Sequence, residues 1–211
     1  MSKPLRNAAG RVDFIGSFPS GWPELGLPEV AFAGRSNVGK SSALNTLLGG
    51  RKAARVSGRP GRTQAINLFR LGQGCVFADL PGYGFARVPE SVQEAWKGMV
   101  EGYLSERTEL RGVVVLVDSR RDPLALDLAL IAGLREFGMP MVVVATKIDK
   151  LKRSQRDRQL AKIRRGFGLG AKDPVPFSSV TREGKDAVWD RIEALCAAPP
   201  LERIPVDERA D

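Results

Sequence analysis

The chain has no histidine among its 211 residues. That absence excludes a Ser-His-Asp or Cys-His nucleophile pair, an imidazole proton shuttle and any histidine-bearing zinc site. There are two cysteines, Cys75 and Cys196, too few for a disulfide framework or an all-cysteine zinc site. Both read as small core residues. Aromatic residues are sparse. Trp96 and Trp189 fall on or near helical apolar stripes and suit packing better than base stacking, while Trp22 sits in a loop with no assigned role. The longest apolar runs, 112–117 and 138–145, fall far short of the roughly 18–20 residues a membrane span needs. Residues 1–10 lack the apolar core of a signal peptide. A soluble cytoplasmic protein is the expectation.

Positive charge, by contrast, is plentiful. Lys and Arg number 33 against 24 Asp and Glu, leaving +9. The excess suits either a polyanionic partner or a merely solvated surface. It is also concentrated. From 40 to 70 there are seven basic residues and no acid, and from 147 to 165 nine basic residues face only Asp149 and Asp157.

Strand-like and helix-like segments alternate through most of the length. Residues 29–33, 65–71, 75–80, 112–118 and 141–146 are short β-branched or aromatic runs, and 174–178 makes a weaker sixth. Helical spacing joins Trp96, Met99, Val100 and Tyr103; then Leu124, Leu128 and Ile131; then Val188, Ile192, Leu195 and Cys196. A short helix over 40–48 is closed by Gly49 and Gly50. Runs such as GVVVLVD and MVVVATK lack alternation, as strands buried on both faces do. The pattern predicts one three-layer α/β domain around a mainly parallel, six-stranded sheet. The domain is expected over 29–198, with 1–28 and 199–211 as flanking segments.

Three motifs carry chemistry. Gly34, Arg35, Ser36, Asn37, Val38, Gly39, Lys40 and Ser41 fit G-x-x-x-x-G-K-S/T between a strand and a helix. The glycines let backbone N–H groups converge on phosphate oxygens, and the helix N-terminus adds its dipole. Lys40 would reach the β- and γ-phosphates, and the Ser41 hydroxyl would ligate Mg²⁺. Asp79 and Gly82, in DLPG at a strand end, suit a water of the Mg²⁺ shell and a close main-chain approach to the γ-phosphate. Thr146, Lys147 and Asp149, in TKID at another strand end, suit a base. A carboxylate there can accept from guanine N1–H and N2–H2 together, a pair that adenine cannot donate, while Lys147 lies along the ring.

In this order the motifs resemble a translation-factor-class P-loop GTPase. The wording GRSNVGKSS, PGRTQ, DLPGYGFA and VVLVDSRR is similar to the EngB subfamily within the class named for TrmE, Era, EngA, EngB and the septins. The resemblance runs from about residue 14 to about 198. It implies GTP and Mg²⁺ binding, slow hydrolysis, a role in assembling the large ribosomal subunit through its RNA, and a link to cell division and septation. DNA and membrane are not implied, and a monomer is expected. The alternative is a membrane- or septum-associated regulatory GTPase acting directly in division; the chain carries no myristoylation glycine after Met1 and ends without a prenylation box.

Carried over by position, the resemblance places Ser42 near the α-phosphate. It matches Gly61 and Thr63 to the first switch loop, with Thr63 closing over Mg²⁺ and the γ-phosphate. Lys40, Thr63 and Gly82 are then the groups expected at the reacting phosphate. Thr146 stands where asparagine is commoner, and Phe177, Ser178 and Ser179 match the last guanine motif. Asn37 either caps the loop or helps hold K⁺. Arg59 and Arg62 have three open roles: catalysis, RNA contact or solvation. Tyr83 occupies the place of a water-orienting glutamine. Unassisted turnover is therefore expected at or below about 10⁻³ s⁻¹, with a partner or ion supplying the rest.

Overall fold

The computed structural model describes residues 5–6, 12–49, 65–84 and 90–201, with side chains from 98 onward in the last stretch. Gly61, Thr63, Arg59, Arg62 and the Trp96 side chain lie outside the described residues. In chain order the elements are β1 (Val12–Phe18), β2 (Glu29–Gly34), α1 (Lys40–Leu47), β3 (Ile66–Leu71), β4 (Cys75–Asp79), α2 (Glu90–Glu106), β5 (Leu110–Asp118), α3 (Ala125–Glu136), β6 (Met141–Thr146), α4 (Arg153–Gly166), β7 (Val175–Pro176) and α5 (Lys185–Ala197).

The sheet has seven strands rather than the expected six, in the order β1-β3-β4-β2-β5-β6-β7. From β4 across to β7 the pairing is parallel, while β1, β3 and β4 pair antiparallel. The added strand lies at the edge, in the segment read as a flank. Its residues alternate irregularly between half-buried and exposed, and its register shifts between Phe14 and Gly16. A bulged edge strand of this kind gives no clean period. Phe14 packs on Phe69 at 5.4 Å between ring centroids, and Asp13 pairs with Arg70 at 3.0 Å.

Strand β2 is buried along its whole length at the sheet centre. Its alternate residues feed two cores. Val30 and Phe32 pack with Leu44, Leu47, Trp189 and Ile192 under α1 and α5. Ala31 and Ala33 face the opposite side, toward Tyr103, Ile131, Leu134 and Ile163 from α2, α3 and α4. Each such large side chain contributes about 1.5–3 kcal/mol when fully buried. The chain leaves β2 toward β3 and β4 on one side, then crosses over to β5 on the other. That reversal opens a crevice at the carboxyl end of β2, where ligands of α/β sheets bind.

One helical expectation needs correction, and one helix was not expected. On α3 the inward stripe is Asp127, Ile131 and Leu134, while Leu128 is 40% exposed. A buried acid on the inner face hid the true period from an apolar search. The basic stretch after TKID carried no helix expectation, yet it forms α4, seated through Ile163 with Leu160 beside it. Its polar majority masks the narrow apolar stripe.

At the amino end of the sheet lies a charged network whose Arg107–Glu29 pair is buried. Arg107 donates to Glu29 at 3.0 and 3.1 Å and to the carbonyls of Trp22 and Pro23 at 3.2 and 2.6 Å. The Tyr103 hydroxyl also donates to Glu29, and Glu109 accepts from Leu25 N and Gly26 N at 2.9 Å each. These bonds fasten the β1–β2 connection to the end of α2.

Candidate nucleotide site

The loop joining β2 to α1 is shaped by its backbone. Gly39 takes φ 105°, a conformation that costs a side-chain-bearing residue dearly, and it starts the helix directly at Lys40. Asn37 also lies in the left-handed region, at φ 64°, with its side chain exposed. Ser41 is half-buried and Ser42 exposed at the start of α1. Val38 is buried and seats the loop; it stands 2.9 Å from where a Cβ on Gly34 would be, so the strand end tolerates no larger residue there.

Strand β4 ends at Asp79, whose carboxylate pairs with the Lys40 ammonium and accepts weakly from Asn67 Nδ2 at 3.5 Å. The following main chain folds against the phosphate loop. Ser36 N donates to Tyr83 O at 2.9 Å, and a Cβ on Gly82 would stand 3.2 Å from Ser36 Oγ. That hydroxyl is buried and has no hydrogen-bond partner among the described residues. The Tyr83 ring turns away from the crevice. Its hydroxyl donates to Asp127 Oδ1 at 2.7 Å, and burial together with that carboxylate pushes the phenol pKa up. It cannot take the place of a water-orienting glutamine.

Strand β6 delivers the third motif. Thr146 is buried, with Oγ1 2.7 Å from Val38 O and 3.0 Å from Val117 O. A single hydroxyl hydrogen serves one of these at a time, and either bond ties β6 to the loop or to β5. Lys147 adopts φ 60° and reaches back to donate to Asn37 O at 2.5 Å and Asp118 Oδ2 at 2.9 Å. Asp118 was not singled out from sequence, since a strand-end Asp beside two arginines reads as solvated. Burial opposes its ionisation, but hydrogen bonds from Arg120 and Lys147 outweigh that and hold its carboxyl well below the usual range.

Asp149 Oδ1 accepts from Ser178 Oγ at 2.7 Å. Ser178 Oγ in turn accepts from Val180 N and Thr181 N, and Ser178 N donates to Glu183 O at 3.0 Å. The β6 and β7 loops thus meet, with Phe177 buried beneath and Ser179 half-buried at the rim. Gly184 closes the second loop at φ 76°, where a Cβ would lie 1.9 Å from Pro176 O. Gly184→Ala is expected to cost about 1–3 kcal/mol from backbone conformation alone, with the clash added. Thermal denaturation and nucleotide titration should both register it; an unchanged melting temperature would contradict the packing described.

Phosphate-loop, DLPG, TKID and serine-loop residues converge at the carboxyl edge of β2, β4, β6 and β7. A cavity of about 430 Å³ runs from the loop and Lys147 toward α3 and α4, lined by Arg35, Asn37, Asp118, Asp127, Lys147 and Phe167. For Mg²⁺, the donors offered here are hard oxygens of Ser41 and Asp79. Among the described residues no cluster of three or more carboxylate or cysteine ligands forms. Hard oxygens suit Mg²⁺, whose remaining ligands phosphates and waters would supply.

The fold and this crevice define a P-loop GTPase. Residues 29–147 match the family model described as a 50S ribosome-binding GTPase. A probable GTP-binding protein EngB from Citrifermentans bemidjiense is 48% identical over 184 residues, covering 87% of this chain and 86% of that one. One from Exiguobacterium sibiricum is 48% identical over 185 residues, covering 86% and 96%. The crystal structure of a probable GTP-binding protein EngB superposes with a TM-score of 0.66 at 28% identity, over 80% of this chain and 98% of the other. The chain belongs to the EngB family of GTP-binding proteins.

Proposed function

We propose that this GTPase is a slow nucleotide-controlled switch acting on the large ribosomal subunit during its assembly, through contact with RNA. The observation that carries the reading is the exposed face of α4. Arg158, Lys162 and Arg165 stand at i, i+4 and i+7 and are all exposed. Lys152 and Arg153 are exposed at its start. Lys162 has only the open pair with Asp122, and among the described residues Lys152, Arg153, Arg158 and Arg165 have no ion pair. The first turn of α4 contains no acid although α3 and α5 each have one there. Cations at that end oppose the helix dipole, so the helix bears a cost that its own packing does not require. Phosphates of an RNA backbone would supply the missing anions.

The helix itself adjoins the base pocket through Arg156 on its inner side, which pairs with Glu183 at 3.0 Å, and Glu183 O holds Ser178 N. The description of the matched family, a 50S ribosome-binding GTPase, supports the same partner. In this reading Lys40, Ser41 and Asp79 hold the phosphates and Mg²⁺, Asp149 reads guanine, and Thr63 and Gly82 respond to the γ-phosphate. K⁺ at Asn37 rests on resemblance alone. No helix among the described residues is long and apolar enough to cross a membrane. The reading takes the protein as a cytoplasmic monomer, its link to division following from ribosome supply.

Cosedimentation with purified 50S particles and with anionic liposomes, each in a GTP analogue and in GDP, tests it. Particle binding favoured by the GTP analogue and falling steeply with salt is expected. Binding to liposomes alone would replace this reading with a membrane-surface switch.

A further inference from the structure

Asp127 is a carboxylate on the buried face of α3, 4% exposed beside Ile131 and Leu134. An acid placed there is costly unless something specific answers it. Burial pushes its pKa up, and the Tyr83 hydroxyl and the Arg35 guanidinium only partly offset this. Those two partners are informative. Arg35 follows the last residue of β2 inside the phosphate loop, and Tyr83 follows Gly82. Their main chains form an isolated parallel bridge. A Cβ on the next residue, Gly84, would lie 3.2 Å from Arg35 Nε and 3.1 Å from Leu126 Cδ1, so the chain passes closely between the loop and α3.

We propose that Asp127 is a positioning residue for γ-phosphate recognition, acting through Tyr83. Gly82 has no side chain by which the domain could hold it. The hold falls to its neighbour, which is fixed at two points: Tyr83 O accepts from Ser36 N at 2.9 Å, and the Tyr83 hydroxyl donates to Asp127 Oδ1 at 2.7 Å. The first bond ties the segment to the phosphate loop and the second to a rigid helix. Together they set where the Gly82 N–H lies relative to the phosphate end of the crevice. GDP, which lacks a γ-phosphate, makes no use of that N–H. The latch therefore governs preference for GTP over GDP rather than nucleotide binding in general. The inference needs only the GTP site and is independent of the ribosomal reading.

The test measures affinities for fluorescent GDP and for a non-hydrolysable GTP analogue, with thermal denaturation alongside. Tyr83→Phe and Asp127→Ala are each expected to weaken the GTP analogue about tenfold, the size of one hydrogen bond to a charged group, and to leave GDP within about twofold. The double variant should be no worse than the worse single one. Asp127→Asn keeps an acceptor for the phenol and should restore GTP preference to near the parent level. Equal weakening of both nucleotides, no change in either, or failure of Asp127→Asn to rescue would each overturn the proposal. Cosedimentation with ribosomal particles plays no part in the readout, so failure here and failure of the assembly reading are separate results.

Discussion

Asp149→Asn should lower GTP affinity by roughly 10²–10⁴-fold, the loss of two hydrogen bonds to a charged acceptor at about 1.5–3 kcal/mol each. The carboxylate presents acceptors only, matching two donors on the guanine edge. An amide in its place faces one of those donors with its own NH2 group, and the mismatch is enclosed beside Ser178. The fold should survive, because the amide oxygen can still accept from Ser178 Oγ, now 2.7 Å from Asp149 Oδ1. A sharper outcome follows from the same chemistry. Xanthine carries a carbonyl where guanine carries its amino group, so xanthosine triphosphate offers one acceptor and one donor. The asparagine variant should bind it more tightly than GTP. Calorimetric titration of parent and variant with both nucleotides checks this, and an unchanged order of preference would remove Asp149 from the base site.

Arg107→Ala is expected to be the most destabilising single change considered. Glu29 is fully buried and Arg107 is 5% exposed. Removing one partner of such a pair leaves the other charge uncompensated, at about 3–5 kcal/mol. For a protein of this size the melting temperature should fall on the order of 10 °C. The deficit should also depend on pH. Burial raises the Glu29 pKa, and Arg107 is the group that opposes it. A carboxyl whose folded pKa exceeds its unfolded value favours the folded state at low pH, and that advantage is lost as pH rises through the folded pKa. Without Arg107 the rise is larger. The variant should therefore lag its parent more at pH 8 than at pH 5.5, because protonation relieves the stranded charge. Thermal melts at the two pH values decide it; equal deficits would mean that Glu29 finds another partner.

The parts of the site that were legible in the sequence are those whose chemistry resides in the backbone or in strand ends. A phosphate loop needs glycine and lysine at fixed spacing, and a base-reading carboxylate needs the end of a buried strand. Both leave short local signatures. Asp127, Asp118 and Glu183 left none, because each acts through a partner far along the chain: Tyr83, Lys147 and Arg156. The same reason hid part of the fold. Strand β1 is held by pairing with β3, 48 to 59 residues further along the chain, rather than by its own pattern. On α3 the spacing finds buried Ile131 but points to Leu128 where Asp127 faces inward, since that buried acid is intelligible only once Tyr83 is seen against it. Thr146 was grouped with the base readers by resemblance, whereas its hydroxyl is committed to main-chain carbonyls beside the phosphate loop.

The edge strand has a mechanical consequence. Strand β3 begins at Ile66, three positions after Thr63. At that point it is gripped from both sides: Ile66 and Asn67 pair with Phe18 and Ser17, and Asn67 pairs with Asp79. The Asn67 side chain repeats the grip, accepting from Ser17 Oγ at 2.5 Å and donating to Asp79 Oδ2 at 3.5 Å. The start of β3 is thus a fixed post in the sheet. Strand β3 cannot slide its register here, since two ladders would have to slip together.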